Sequence, residues 1–203
     1  VRCFLSYSLR ESPTKNKTNM KTLQKICFVL LLSTFSSAYA VSCWDEIPDV
    51  ADCKVRAEKG GASAQYNLGL MYDYGKGVPQ DYKEAVKWYR FAAVQGETQA
   101  QYNLGWMFSN GLGSLQDYKE AVKWYRFAAV QGDNQAQNNL ALMYYEGKGV
   151  KQSKVMAHMY FNIAAVSGNK NAIKGRGLVE KDMTATQIEK AQDLAREWMS
   201  KHQ

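Results

Sequence analysis

Histidine, proline and cysteine are scarce in this chain: two, three and four among 203 residues. The histidines, His158 and His202, stand far from every cysteine in sequence, and no H-E-x-x-H occurs. The clustered ligands of a metal site are therefore missing, and neither a metal nor a cofactor is expected. So few prolines and cysteines, beside an apolar share of 46% and an aromatic share of 12%, exclude disordered, collagen-like and cysteine-dense classes. No apolar run approaches the roughly 20 residues of a membrane-crossing helix, which predicts a soluble mature chain. Most of the net charge of +7 belongs to the first forty residues, where six basic residues accompany one acidic one; the remainder holds 20 basic and 18 acidic residues, interspersed. A basic patch that would grip nucleic acid is not expected.

Those forty residues read as a leader. Met20 with Lys21 and Lys25, an apolar stretch from Ile26 to Leu32, and small residues at Ala38 and Ala40 have the form of a secretory signal cleaved after Ala40. Residues 1–19 fit no part of that logic and are expected to be an extension from an upstream start. An exported chain, periplasmic or secreted, keeps Cys43 and Cys53, and an oxidising compartment predicts a disulfide between them within an N-terminal cap over 41–60. The other use of Cys43 is acylation as a lipoprotein, although Ala40 is smaller than the residue such signals usually carry there.

The strongest feature is a repeat. Gln80–Gly96 and Gln116–Gly132, 36 positions apart, are the same seventeen residues, QDYKEAVKWYRFAAVQG. Ala64, Ala100, Ala136 and Ala172 fall in the same register, as do Leu68, Leu104 and Leu140. A fixed period of this length marks a solenoid whose units cannot bury their apolar faces alone. Three units are expected over 61–168, with capping helices over 169–203. Ala64, Leu68, Met71 and Tyr72, then Ala85, Tyr89, Ala92 and Ala93, have helical spacing, so each unit is a pair of helices, A and B. Asp81 with Glu84, and Asp117 with Glu120, have capping-box spacing. Gly75-Lys76-Gly77 and Gly147-Lys148-Gly149 make the turn between helices, and Gly96 and Gly132 end helix B. Small Gly69, Gly105 and Ala141 admit helix B closely, while Trp88, Trp124 and Tyr160 are expected to fill the gap to the next unit. Near the C-terminus Arg176 replaces the core leucine, and Thr184 with Gln187 opens a final helix with Ile188, Ala191, Ala195 and Trp198 inward.

The motifs A-x-Y-N-L-G-x-M-Y at 64–72, G-x-G-V-P-Q-D at 75–81 and A-V-K-W-Y-x-x-A-A at 85–93 resemble the Sel-one-like repeat family, relatives of tetratricopeptide repeats. The likeness covers about 57–200 and implies an all-α, right-handed α/α superhelix. The third unit departs from the pattern with Asn138 for tyrosine, Ser153 and Lys154 for Asp-Tyr, and Tyr160-Phe161 for Trp-Tyr, which weakens its caps. Members of the family are adaptors and scaffolds, and exported bacterial ones include signalling regulators, host-interaction factors and periplasmic immunity proteins that neutralise secreted toxins. Some cysteine-rich relatives have been described as β-lactamases, but this chain lacks their cysteine pair in each repeat.

Signs of chemistry are sparse. The Gly-Lys-Gly turns lack the spacing and the Ser/Thr of a phosphate loop. Ser167 and Lys170 have S-x-x-K spacing without K-T-G or S-D-N, and His158, beside core Ala157, reads as a surface or inter-unit residue rather than a base. No catalytic residue is expected. Binding is the better reading, because a superhelix presents one column of A-helix side chains on its concave face. Aligned with the tetratricopeptide pattern, that column is Tyr66, Leu70, Asp73 and Tyr74, then Tyr102, Trp106, Ser109 and Asn110, then Asn138, Leu142, Tyr145 and Glu146. Tyrosine and tryptophan bring large contact area at small entropy cost, and asparagine bonds an extended backbone, so the partner is expected to be a protein or peptide. Trp106 stands out because its neighbours carry leucine. Specificity should lie in the A helices and loops, since the first two B helices are identical.

Overall fold

The computed structural model describes residues 50–202. Among these the regular elements are all helices: α1 Val50–Glu58, α2 Ala62–Tyr74, α3 Tyr82–Val94, α4 Thr98–Asn110, α5 Tyr118–Val130, α6 Asn134–Glu146, α7 Lys154–Val166, α8 Lys170–Glu180 and α9 Ala185–His202. As far as α8 each packs on its neighbours in the chain, which makes an α/α solenoid. The pairs α2/α3, α4/α5 and α6/α7 are the three units. In register, α1 corresponds to a B helix, with Cys53 and Ala57 where α3 has Tyr89 and Ala93. Both are buried with Leu68, Met71 and Trp88. The leader, the cleavage after Ala40 and the pairing of Cys53 with Cys43 fall on residues outside those described.

Local chemistry sets each helix end. The Asp81 carboxylate accepts from the N–H groups of Lys83 and Glu84 at 2.9 and 3.2 Å, and Asp117 repeats this one unit on. The reciprocal half of the box is not made. Asp81 N–H instead donates to the Tyr72 carbonyl at 2.9 Å, tying the loop to helix A. That leaves the Glu84 carboxylate to accept from the Trp88 indole at 3.1 Å, satisfying a donor that burial would otherwise strand. Thr184 and Gln187 do make both halves, at 2.9 and 3.3 Å. Ser153 caps α7 in place of aspartate. In the inter-helix turn, Gly113 combines a φ of +70° with a backbone contact that leaves no room for a side chain: a Cβ would lie 2.1 Å from the Tyr82 carbonyl oxygen of the preceding unit.

Glutamine seals the joints between units. Gln65, Gln101 and Gln137, all buried, donate to the carbonyls of Ala57, Ala93 and Ala129 near the end of the preceding B helix at 3.0 to 3.1 Å. Gln95 and Gln131 then donate to Gln65 and Gln101 at 2.6 and 2.7 Å. In the third unit Ser167 stands in their place, and Gln137 Oε1 has no hydrogen-bond partner among the described residues.

The expectation that Trp88 fills the gap to the next unit is corrected. Trp88 shares a core with α1 and α2, so it looks back along the stack rather than forward. Tyr89, next to it on the helix, points the other way and meets Asn103 of the following unit. Tyr160 stacks on Tyr144 of its own unit, 5.6 Å between ring centres. At the C-terminus α9 packs on α7 rather than on α8. Ala191 and Ala195 are buried as expected. Arg176 escapes the core by donating to Asn162 Oδ1 at 2.6 Å.

Candidate functional site

The A-helix face rests on a buried layer of rings. A Cβ on Gly69 would lie 2.6 Å from the Tyr89 ring and one on Gly105 2.8 Å from that of Tyr125, so these glycines let the B-helix tyrosines lie flat against helix A. Tyr89 donates to the Asp73 carboxylate at 2.9 Å and Tyr125 lies 3.4 Å from the Ser109 hydroxyl. Burial pushes both phenols above their ordinary range, Tyr125 to about 12, and the Asp73 charge raises Tyr89 further. Burial also raises the Asp73 carboxyl, and the Tyr89 hydrogen bond partly offsets it.

Asp73, read from the sequence as a contact residue, is thus 8% exposed and serves the fold. Its distance of 16 positions from Tyr89 hides that role in a linear reading. Tyr66 and Tyr102 are half-buried, each with its ring centre 5.9 Å from Tyr89 or Tyr125. Leu70 and Tyr145 are half-buried against the main core. Asn138 is half-buried too and donates to Asn139 at 3.4 Å. Tyr74, Trp106, Asn110, Leu142 and Glu146 are exposed. Asn110 donates to the Trp106 carbonyl at 2.8 Å, and Glu146 pairs with Lys148 at 2.7 Å.

Two clefts of similar volume, about 340 and 330 Å³, open on this face. The first includes Asp73, Tyr74, Tyr102 and Asn103; the second includes Ser109, Asn110, Asn139 and Leu142. Most of these positions correspond one unit apart, and Trp106 lines both clefts, as the wall between them. Tyr66, Leu70, Asn138 and Tyr145 line neither. Sequence reasoning missed Asn103 and Asn139, as well as Gln80, Gln116, Tyr82 and Tyr118. The recurrence of asparagine at 67, 103 and 139 was the available signal.

The remaining candidates lie elsewhere. His158 is fully buried, its Nε2 2.8 Å from Glu180 Oε1, and joins α7 to α8 rather than lying on the surface. Ser167 and Lys170 are exposed on either side of a joint and line neither cleft. Among the described residues no three His, Cys, Asp or Glu side chains converge as a metal would require, and no helix is long and apolar enough to cross a membrane.

Comparison with known proteins gives one answer. The family model described as Sel1 repeat matches residues 62–97, 98–133 and 134–169, over half of the chain. Among solved structures, a Sel1 repeat protein from Oxalobacter formigenes is 35% identical over 75% of this chain and 61% of its own, with a TM-score of 0.60. The c5321 protein, a protective antigen of uropathogenic Escherichia coli with an SLR fold, is 27% identical over 91% of this chain and 46% of its own, also with a TM-score of 0.60. Helicobacter pylori cysteine rich protein B shares the fold at 19% identity and a TM-score of 0.51, over 65% of this chain and 98% of its own. The chain spans less than two thirds of the first two proteins. No curated protein matches it.

Proposed function

Since the chain belongs to the Sel1 repeat family, whose members generally act as scaffolds for protein–protein interaction, we propose that it is an exported, non-enzymatic adaptor that holds a protein or peptide partner on its A-helix face. The pair of matched clefts divided by Trp106 carries this reading. Each cleft offers a ring, an exposed apolar or aromatic side chain and an asparagine amide, a combination that receives one side chain of a partner and bonds its backbone. Repetition of the cleft suits an extended segment that places two side chains on either side of the indole. Tyr66 and Asp73 support the surface from below.

A crosslinked pull-down from the periplasm tests this, comparing the chain with a Tyr102→Ala/Trp106→Ala variant whose helical circular dichroism is unchanged. A protein recovered with the former and lost with the latter is the expected result. Recovery of the same partner by both chains would move the binding surface away from these clefts.

A further inference from the structure

We propose that the B-helix face of the first two units is a second docking surface, fitted to an amphipathic helix of a protein partner whose polar flanks are acidic. The position of Phe91 recurs every 36 residues as Val55, Phe91, Phe127 and Ile163, one column across α1, α3, α5 and α7. Its first three members are 47%, 45% and 49% exposed, whereas Ile163 is 3% exposed. Cover makes the difference. The amphipathic helix α9 packs on α7, and Met159, in the position of exposed Lys87 and Lys123, is buried there as well. Among the described residues, a helix of the chain itself closes the last part of this column, and the faces of α3 and α5 stay open and continuous with that interface.

The open part has both shape and charge. Between α3 and α5 lies a groove of about 550 Å³, walled by Ala93, Val94, Trp124 and Phe127 and edged by Arg90 and Lys123. Each of these two helices carries three basic residues and one acidic one. Glu84 and Glu120 are already engaged by the neighbouring lysine and indole of their own helices. Lys83, Lys87, Arg90 and their counterparts one unit on are all exposed. In α7 the corresponding residues are Val155, Met159 and Asn162, so the charge is absent where α9 supplies the cover. A partner for α3 and α5 must bury the phenylalanines and also face excess positive charge, which an acidic amphipathic helix does.

The test uses the full chain and two labelled 18-residue peptides that keep the apolar residues of α9 in place, with glutamates at the polar positions of one and lysines at those of the other. Fluorescence anisotropy is expected to show binding of the glutamate peptide alone, weakening several-fold as salt is raised. A Phe91→Ser/Phe127→Ser variant should lose at least about tenfold in affinity. Lys83→Glu/Lys119→Glu, which places acids favourably at helix starts and spares the packing, should also weaken binding, while Trp106→Ala leaves it unchanged and so separates this face from the clefts. Equal binding of both peptides, or indifference to the phenylalanine pair, overturns the proposal. A dimer seen by light scattering and abolished by Phe91→Ser/Phe127→Ser overturns it in favour of a second copy. Capture by phosphatidylglycerol vesicles through the same residues, without peptide binding, overturns it in favour of a lipid surface.

Discussion

Replacing Gly105 by alanine should weaken the fold, although alanine is the better helix former by about 1 kcal/mol. The new Cβ would meet Tyr125 ring carbons at 2.8 and 2.9 Å and the Ala121 carbonyl at 3.2 Å. The ring has little room to retreat, being 1% exposed with its hydroxyl held near Ser109. Overpacking of this kind costs about 1–3 kcal/mol, and the short approach to a rigid ring belongs at the upper end. The net loss is about 1–2 kcal/mol, read as a lower urea midpoint by circular dichroism. Gly177 holds the same register position in α8 and faces open space, so Gly177→Ala should instead stabilise by about 0.5–1 kcal/mol. The third unit supports the reasoning: Ala141 replaces the glycine, Phe161 replaces the tyrosine, and Gly175 replaces asparagine in the next A helix, where a Cβ would lie 2.6 Å from the Phe161 ring. Room for the ring has moved from its own unit to the following one. The triple change Gly105→Ala/Tyr125→Phe/Asn139→Gly should therefore recover part of the loss. A Gly105→Ala midpoint at or above that of the parent chain, with Gly177→Ala behaving as stated, would refute the argument.

Ser167→Gln should complete the glutamine chain at the third joint by satisfying Gln137 Oε1, raising stability by about 0.5–1.5 kcal/mol in the same urea assay; no gain would mean that the oxygen is already satisfied. Asp73→Ala should cost about 1–3 kcal/mol by removing the acceptor of a buried phenol, and a double-mutant cycle with Tyr89→Phe should show coupling, whereas additive effects would deny the bond. The fold should also be lost in alkali. Tyr125, pushed up to about 12 by burial, stays neutral in the folded chain while an unfolded tyrosine ionises near pH 10. Its contribution of about 3 kcal/mol is thus present below pH 10 and lost as pH rises through 12, with Tyr89 acting in the same direction. Absorbance at 295 nm should show part of the 13 tyrosines ionising only as helical dichroism collapses. Complete titration near pH 10 with the helices intact would contradict this.

Sequence alone determined the period, the pairing of helices within each unit, the glycine turns and the core columns of alanine and leucine. These depend on local spacing and on interactions within a few residues, which a linear reading resolves. It also identified Trp106 as the odd residue of its column. Tertiary structure decided the direction of each polar and aromatic side chain at unit boundaries. Asp73 has the spacing of a surface residue, but Tyr89 supplies a buried hydroxyl that takes it inward. Glu84 has the spacing of a capping box, but Trp88 needs an acceptor and Asp81 N–H already has one. The final helix has the pattern of a cap, yet only packing could choose α7 over α8 as its support, because an amphipathic stripe specifies that a face must be covered and not which neighbour covers it.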